Sequence, residues 1–287
     1  MAKKQLALQG EVVKKSNAIA RARWFSESIW EPRIVALVAS KVRIDDEDFQ
    51  TYRIPVMELT GASDENLRGN QYQEIRKSIE HLGKSIIRIE GDKPRNFRQY
   101  NVFAMCGYED GYLIAGFHPD LKPHFLQLKN NFIKYNLVNF LMLPSTYSQK
   151  LFEILKSWDD KPEIEISISE LHEMLDVPES FKANFKDFRR RVLEKAHKDI
   201  TKHTELEYEW EPIKQGRSVI SIRFTFTKNR SLPVAEKKRN DAKVKQSRAT
   251  GEAFTTAIAC YQERGNECRG GHQKKAVCSL CRHIYPR

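Results

Sequence analysis

Between Lys182 and His203 the chain carries eight basic side chains, Lys182, Lys186, Arg189, Arg190, Arg191, Lys195, Lys198 and Lys202, against Asp187, Glu194 and Asp199. Arginine forks bond bidentately to O6 and N7 of guanine, while lysine ammonium groups suit phosphate oxygens. Arg190 and Arg191 are the base-reading candidates, and Lys195 and Lys198 the phosphate ligands. Arg189 lies nearer the apolar side of its element, where bracing the backbone or a domain acid competes with reading. The segment is +5 within a block, 146–227, of net charge −2, so the rest of that block is −7. One basic element on an acidic module focuses a polyanion contact, whereas scattered lysines mainly keep a protein soluble. The plainer alternative is a solvated helix face.

Other constellations carry less. Gly83-Lys84-Ser85 resembles the end of a phosphate loop, but that loop needs a glycine five positions earlier, and position 78 is Ser78. Lys84 is therefore expected in a helix-to-strand turn. Asp45-Asp46-Glu47-Asp48 are four consecutive acids that do not converge on one face, so a solvated loop is the better reading than a cation site. DNA nicking by the rolling-circle route needs two histidines one residue apart to hold a metal, and no such pair occurs among the 8 histidines. The chain is expected not to be an enzyme and to need no cofactor or metal. Cys278 and Cys281 have knuckle spacing, and Cys268 or His272 could complete a zinc site, yet a ribbon has two close pairs and here there is one. Incidental thiols in a tail are the preferred reading, and Cys106, in an alternating run, reads as a small apolar residue.

These residues need elements to hold them. At 287 residues the chain is long enough for about two domains. It is 40% hydrophobic with a mean hydropathy of −0.61, which allows real cores but no membrane span. The N-terminus lacks the apolar stretch of a secretory signal, so the expected location is the cytoplasm, where 5 cysteines do not make a disulfide framework. The net charge of +11 is unevenly spread: +4 over 1–145, −2 over 146–227 and +9 over 228–287.

From Thr146 the apolar spacing predicts a helix to Trp158, then an alternating strand through Ile164, Ile166 and Ile168. A short helix follows, capped weakly at Ser169 and ending before Pro178. Phe185, Phe188, Val192, Ala196 and Ile200 then form one stripe on a helix of about five turns. LEYEWEP and RSVISIRFTFT read as a hairpin joined by Ile213-Lys214-Gln215-Gly216. Helix, strand, helix, longer helix and two-stranded wing is the order of a winged helix-turn-helix, whose third helix enters the major groove.

A similar order occurs upstream. Asn17 to Ala39 reads as helical stretches broken by Pro32, Thr51 to Val56 as a strand, and Tyr72, Ile75, Ile79 and Leu82 as an amphipathic helix. KSIIRIE, RQYNVFAMCGY and GYLIAGF read as strands, the last two meeting at Glu109-Asp110. Ile54-x-Val56-x-Glu58-Leu59 matches Ile166-x-Ile168-x-Glu170-Leu171, and Ile75-Arg76-Lys77-x-Ile79 matches Phe188-Arg189-Arg190-x-Val192, in near-identical offset. The fold class is therefore α+β, two tandem winged helix-turn-helix domains with a flexible basic C-terminal tail. Between the domains, Phe125, Leu128 and Phe132 predict a helical connection.

FLQLKNNFIKYNL at 125–137, TYSQKLFEILKSW, and FKDFRRRVLEKAHKDI followed by LEYEWEPIKQGRSVISIRFTF resemble the Rep-type initiators of iteron-containing, theta-replicating plasmids. The resemblance spans about 15–228 and leaves the cysteine-bearing tail uncovered. It implies an N-terminal winged helix (15–140) for phosphate contacts and dimerisation, a C-terminal one (145–228) that reads origin repeats, and a tail (229–287). By position it places Lys186, Arg189, Arg190 and Arg191 on the reading helix, and Lys214 and Arg217 on the wing. Implied partners are double-stranded origin DNA bound as a monomer, a second copy in a repressor dimer, the host initiator protein and the replicative helicase. A winged-helix transcriptional regulator on an inverted repeat is the alternative.

Overall fold

The computed structural model describes residues 11–43, 46–60, 69–91, 93 and 95–227. Strand β1 (Val12–Ser16) ends at a hydroxyl that accepts the Ile19 amide at 3.2 Å and so caps α1 (Asn17–Ala20). Helix α2 (Trp30–Lys41) is buried from Trp30 to Ala39 on all but its Arg33 position. Pro32 does not break this helix as expected. It stands in the first turn, where a missing amide costs no intrahelical bond.

β2 (Tyr52–Pro55) runs into a 3-10 turn (Val56–Thr60), and α3 (Gly69–Leu82) buries Ile75, Ile79 and Leu82 as its spacing predicts. Four strands follow: β3 (Ile86–Glu90), β4 (Phe97–Asn101), β5 (Phe103–Glu109) and β6 (Tyr112–Phe117). The run expected as one strand, RQYNVFAMCGY, is two. It divides at the fully buried Val102, so that β4 pairs with β3 while β5 pairs with β6. Asp110 and Gly111, at φ +46° and +84°, are the two central residues of the β5–β6 turn, as a type I′ turn requires.

The expected helical connection is a correction. After a 3-10 turn (Pro119–Leu121) and α4 (Lys122–Phe125), Phe132 lies in a strand, β7 (Phe132–Asn136), followed by α5 (Leu137–Leu141). β7 pairs antiparallel with β1, and its Ile133 and Tyr135 are buried in strict alternation. A partner more than a hundred residues away decided this segment, overriding three apolar residues at helical spacing.

From residue 146 on, the chain follows the expected order of elements. α6 (Thr146–Lys156) leads to β8 (Glu163–Ser167), α7 (Ile168–Met174) and the short α8 (Glu179–Lys182). Next come α9 (Phe185–Phe188), a π-helical turn (Arg189–Glu194) and α10 (Lys195–His203), a continuous helical run. β9 (Tyr208–Gln215) and β10 (Ser218–Phe226) form the wing. Ile168 opens the helix rather than closing the strand, and the cap is Ser167, whose hydroxyl accepts the Glu170 amide, not Ser169. The wing turn is only Gly216-Arg217, with Lys214 already paired to Val219; Gly216 takes φ +61° at the first central position.

In each lobe the strand before the helices lies at one edge and the last strand in the centre, giving the orders β2-β6-β5 and β8-β10-β9. These are two winged helices. The internal sequence match falls on equivalent positions: Ile54 and Ile166, Leu59 and Leu171, and Ile75 and Phe188 are all buried. Among the described residues no helix is long and apolar enough to cross a membrane.

The lobes share one apolar cluster, and polar groups on α6 and α7 tie them to β1, β7 and the segment after α1. Glu153 receives Lys15 Nζ at 2.6 Å and the Tyr135 hydroxyl at 2.5 Å, all buried. Arg21 donates to the Ser157 carbonyl at 2.7 Å and stacks on the Trp158 ring at 3.8 Å. Arg23 pairs with Glu173 across the same joint. Lys150, fully buried, donates to the Ala22 carbonyl at 3.2 Å, and burial pulls its pKa down to about 8.

Two outcomes follow for stability. Replacing Glu153 by leucine strands the buried Lys15 charge and is expected to cost about 3–5 kcal/mol in denaturant unfolding. The unfolded Lys150 holds its proton to about pH 10.4, the folded one only to about 8. Between these the unfolded chain binds more protons, so this lysine's contribution to stability rises with pH. The stability of the natural protein relative to Lys150→Met should therefore climb from pH 8 to 10, read from paired denaturation curves.

Candidate nucleic-acid interface

The basic helical run begins at Asn184, whose side-chain oxygen accepts the Lys186 amide at 3.0 Å. Phe188, Val192, Ala196 and Ile200 are fully buried and Phe185 half-buried, as the stripe predicts. Leu193 is buried as well, which the stripe did not include. The π-helical turn explains it: i to i+5 winding brings Leu193 beneath Phe188 and Glu194 beneath Arg189.

Three neighbours hold the run in place. His172 of α7 meets the Phe188 ring edge-on at 4.5 Å, and burial lowers its pKa, so it packs as a neutral ring. Ser148 of α6 donates to Asp199 at 2.7 Å. His197 lies 2.9 Å from the Tyr208 carbonyl and packs on the Tyr208 ring, which ties α10 to the wing strand β9.

With one face fixed inward, the opposite face is set. Lys186, Arg189, Arg190, Arg191, Lys195 and Lys198 are all exposed, as are Lys214 and Arg217 at the wing tip. The structure thus places the eight expected residues on two joined elements of one lobe. Their guanidinium groups are not idle. Arg189 donates to Glu194 at 2.8 Å and lies 5.9 Å over the Trp210 ring, the domain-acid brace that competed with reading. Arg190 donates to Asp187 at 3.1 Å, and Arg191 lies 3.8 Å from the same carboxylate and 5.4 Å over the Phe181 ring. Exposed pairs like these are weak, on the order of 0–1 kcal/mol, so they preorganise the forks without withholding them.

Sequence reasoning missed Asp187 as a shared tether and Trp210 as a platform. It named the first lobe's counterparts only as part of the repeat. In the repeat register Arg76 and Lys77 of α3 correspond to Arg189 and Arg190, and both are exposed. Lys84 sits exposed in the turn between α3 and β3, where it was expected. Among the acids, Asp48 pairs with Lys122 at 2.9 Å, which lowers its pKa. Burial pushes the half-buried Cys106 thiol up to about 12, in keeping with a packing role. Cys268, His272, Cys278 and Cys281, and the tail as a whole, lie outside the described residues.

Two family models match this architecture in chain order: the initiator replication protein WH1 model over residues 12–156 and the initiator Rep protein WH2 model over 167–226. The chain belongs to the initiator replication protein family. Among solved structures, this initiator is similar to the Pi initiator protein in complex with iteron DNA, at a TM-score of 0.58 and 19% identity. That match covers 78% of this chain and 98% of the other, and shows a shared fold. Domains 2 and 3 of RctB also match, at 14% identity over 79% of this chain and 93% of that one, but a TM-score of 0.40 is too loose to argue from. Comparison with curated protein sequences gives no match.

Arg190→Ala is expected to relax specificity at one base position by ~1–3 kcal/mol, whereas Lys198→Ala weakens all sequences alike and lowers the salt slope by about 1. Equal losses on specific and random DNA for Arg190→Ala would exclude base reading. Asp187→Asn, which removes the tether's charge, should tighten binding to every sequence and steepen the salt dependence, measured by titration across salt concentrations.

Proposed function

We propose that this initiator binds direct repeats at a plasmid origin as a monomer, reading bases with the 185–203 helix and gripping flanking phosphates with the wing. The carrying observation is the exposed basic face, Lys186, Arg189, Arg190, Arg191, Lys195 and Lys198, joined by Lys214 and Arg217, in a block, 146–227, whose residues outside 182–203 sum to −7. A field concentrated on one helix steers and orients duplex DNA more sharply than a diffuse one. Support comes from the family, and from the Pi initiator, which shares the fold and was solved on iteron DNA.

On this reading the division of labour falls near residue 145. The first lobe, 15–140, adds phosphate contacts through α3, where Arg76 and Lys77 stand, and forms the dimer that represses the initiator's own gene. The second lobe, 145–228, chooses the sequence. The bound monomer bends or opens the neighbouring duplex without catalysing a reaction, and hands it to the host initiator protein and replicative helicase in the cytoplasm. The basic tail, 229–287, raises affinity for any DNA.

A nuclease footprint of the purified protein over the DNA flanking its gene tests this. Evenly spaced protection at direct repeats about two helical turns (~20 bp) apart is expected. A lone protected palindrome would instead identify an operator-binding regulator, and absence of protection overturns the proposal.

A further inference from the structure

Away from the basic face, three side chains from three segments of the first lobe converge: Glu27 in the loop before α2, Glu31 in the first turn of α2, and His81 in the last turn of α3. One donor atom from each lies within 4.8 Å of the other two. His81 Nδ1 is 3.1 Å from Glu31 Oε1, and His81 Nε2 is 3.5 Å from Glu27 Oε1. Glu31 is 1% exposed, and its Oε1 makes no hydrogen bond, its one basic neighbour being the His81 imidazole at 3.1 Å, which is positive only when protonated. Its Oε2 takes only the Glu27 amide at 3.3 Å. Among the described residues no lysine or arginine is paired with this carboxylate.

A buried carboxylate oxygen without a donor is costly and calls for a positive partner. We propose that Glu27, Glu31 and His81 hold a divalent first-row transition metal ion that ties the loop before α2 to the end of α3. The donor set is one imidazole and two carboxylates with no thiolate, which suits Mn2+, Fe2+ or Zn2+ and leaves open positions for water. Neighbouring ligands on such an ion stand about 3.0–3.4 Å apart at bond lengths of about 2.0–2.2 Å. Glu31 Oε1 and His81 Nδ1 already meet this spacing, which makes Nδ1 the imidazole ligand, and Glu27, 58% exposed and standing beside Nε2, has to swing to the Nδ1 side to join them. Phe25 meets the His81 ring edge-on at 6.0 Å, shielding one side, and Ser85 Oγ lies 3.4 Å from Nδ1. The ion would stiffen α3, the helix that carries Arg76 and Lys77, and so make the first lobe's grip on DNA metal-responsive.

Mn2+ is the probe of choice, because oxygen and nitrogen donors take it while the tail's thiolates prefer softer ions. The full-length protein, stripped with a chelator, is titrated with MnCl2 and free Mn2+ is followed by electron paramagnetic resonance. One site is expected, weakened ~10-fold or more in Glu31→Gln and His81→Gln. Glu27→Gln, altering an exposed loop side chain, should weaken it too without disturbing the fold. Mn2+ should also raise the melting temperature of the natural protein and not of Glu31→Gln. No binding by the natural protein, or the same affinity in Glu27→Gln and the two other variants, overturns the proposal.

Discussion

The burial of one stripe, Phe188, Val192, Leu193, Ala196 and Ile200, against α6, α7 and the wing governs the interface. The cations on the other face are exposed, with Arg189 and Arg191 touching the core only at its rim through the Trp210 and Phe181 rings, yet their direction is dictated by it. A helix whose inner side is packed to native density cannot roll without opening cavities, so the exposed side is held at a single azimuth. The π-helical turn fits an extra residue into the turn where Arg189 to Arg191 leave the core, and Glu194 and Asp187 hold the forks that emerge there.

A second constraint places the two lobes against each other. Glu153 sits under Lys15 and Tyr135, so a charge on α6, the helix between the two three-stranded sheets in the chain, is neutralised by β1. Buried pairs of this kind contribute little net stability, since desolvation offsets much of the attraction, but they penalise any arrangement that separates the partners. Lys150 sharpens the penalty: its ammonium finds the Ala22 carbonyl only in this packing. Proteins that contact DNA at two places gain from a fixed spacing between the contacts, because the entropy of docking is lost once instead of twice.

The overall charge of +11 divides into parts with different physical meaning. The largest share, +9, falls in 228–287, and charge without fixed geometry favours every nucleic-acid sequence alike. The basic helix carries less charge but carries it on a rigid frame, and only fixed donors discriminate between base edges. The remainder of 146–227 is acidic, and two of its acids, Glu165 and Glu211, are paired with Arg223.

Much of this was legible in the chain alone, because the relevant signals are local. The stripe at 185–200, the alternation along the wing, the element order and the repeat of Ile54 to Leu59 in Ile166 to Leu171 depend on spacing, which a sequence displays directly. The failures have a common cause. Phe132 looked helical until β1 claimed it as a strand, RQYNVFAMCGY looked continuous until two different partners divided it at Val102, and Pro32 looked like a break because its helix start could not be seen. The Asp187 tether, the Trp210 platform and the meeting of Glu27, Glu31 and His81 likewise join residues by proximity in space. Periodicity thus determined the order of elements from residue 146 on, and the apolar face of the basic helix apart from Leu193. Partner choice among strands, the extra twist in the basic helix and the convergence of distant side chains were decided by packing, since those energies exist only once the chain has closed on itself.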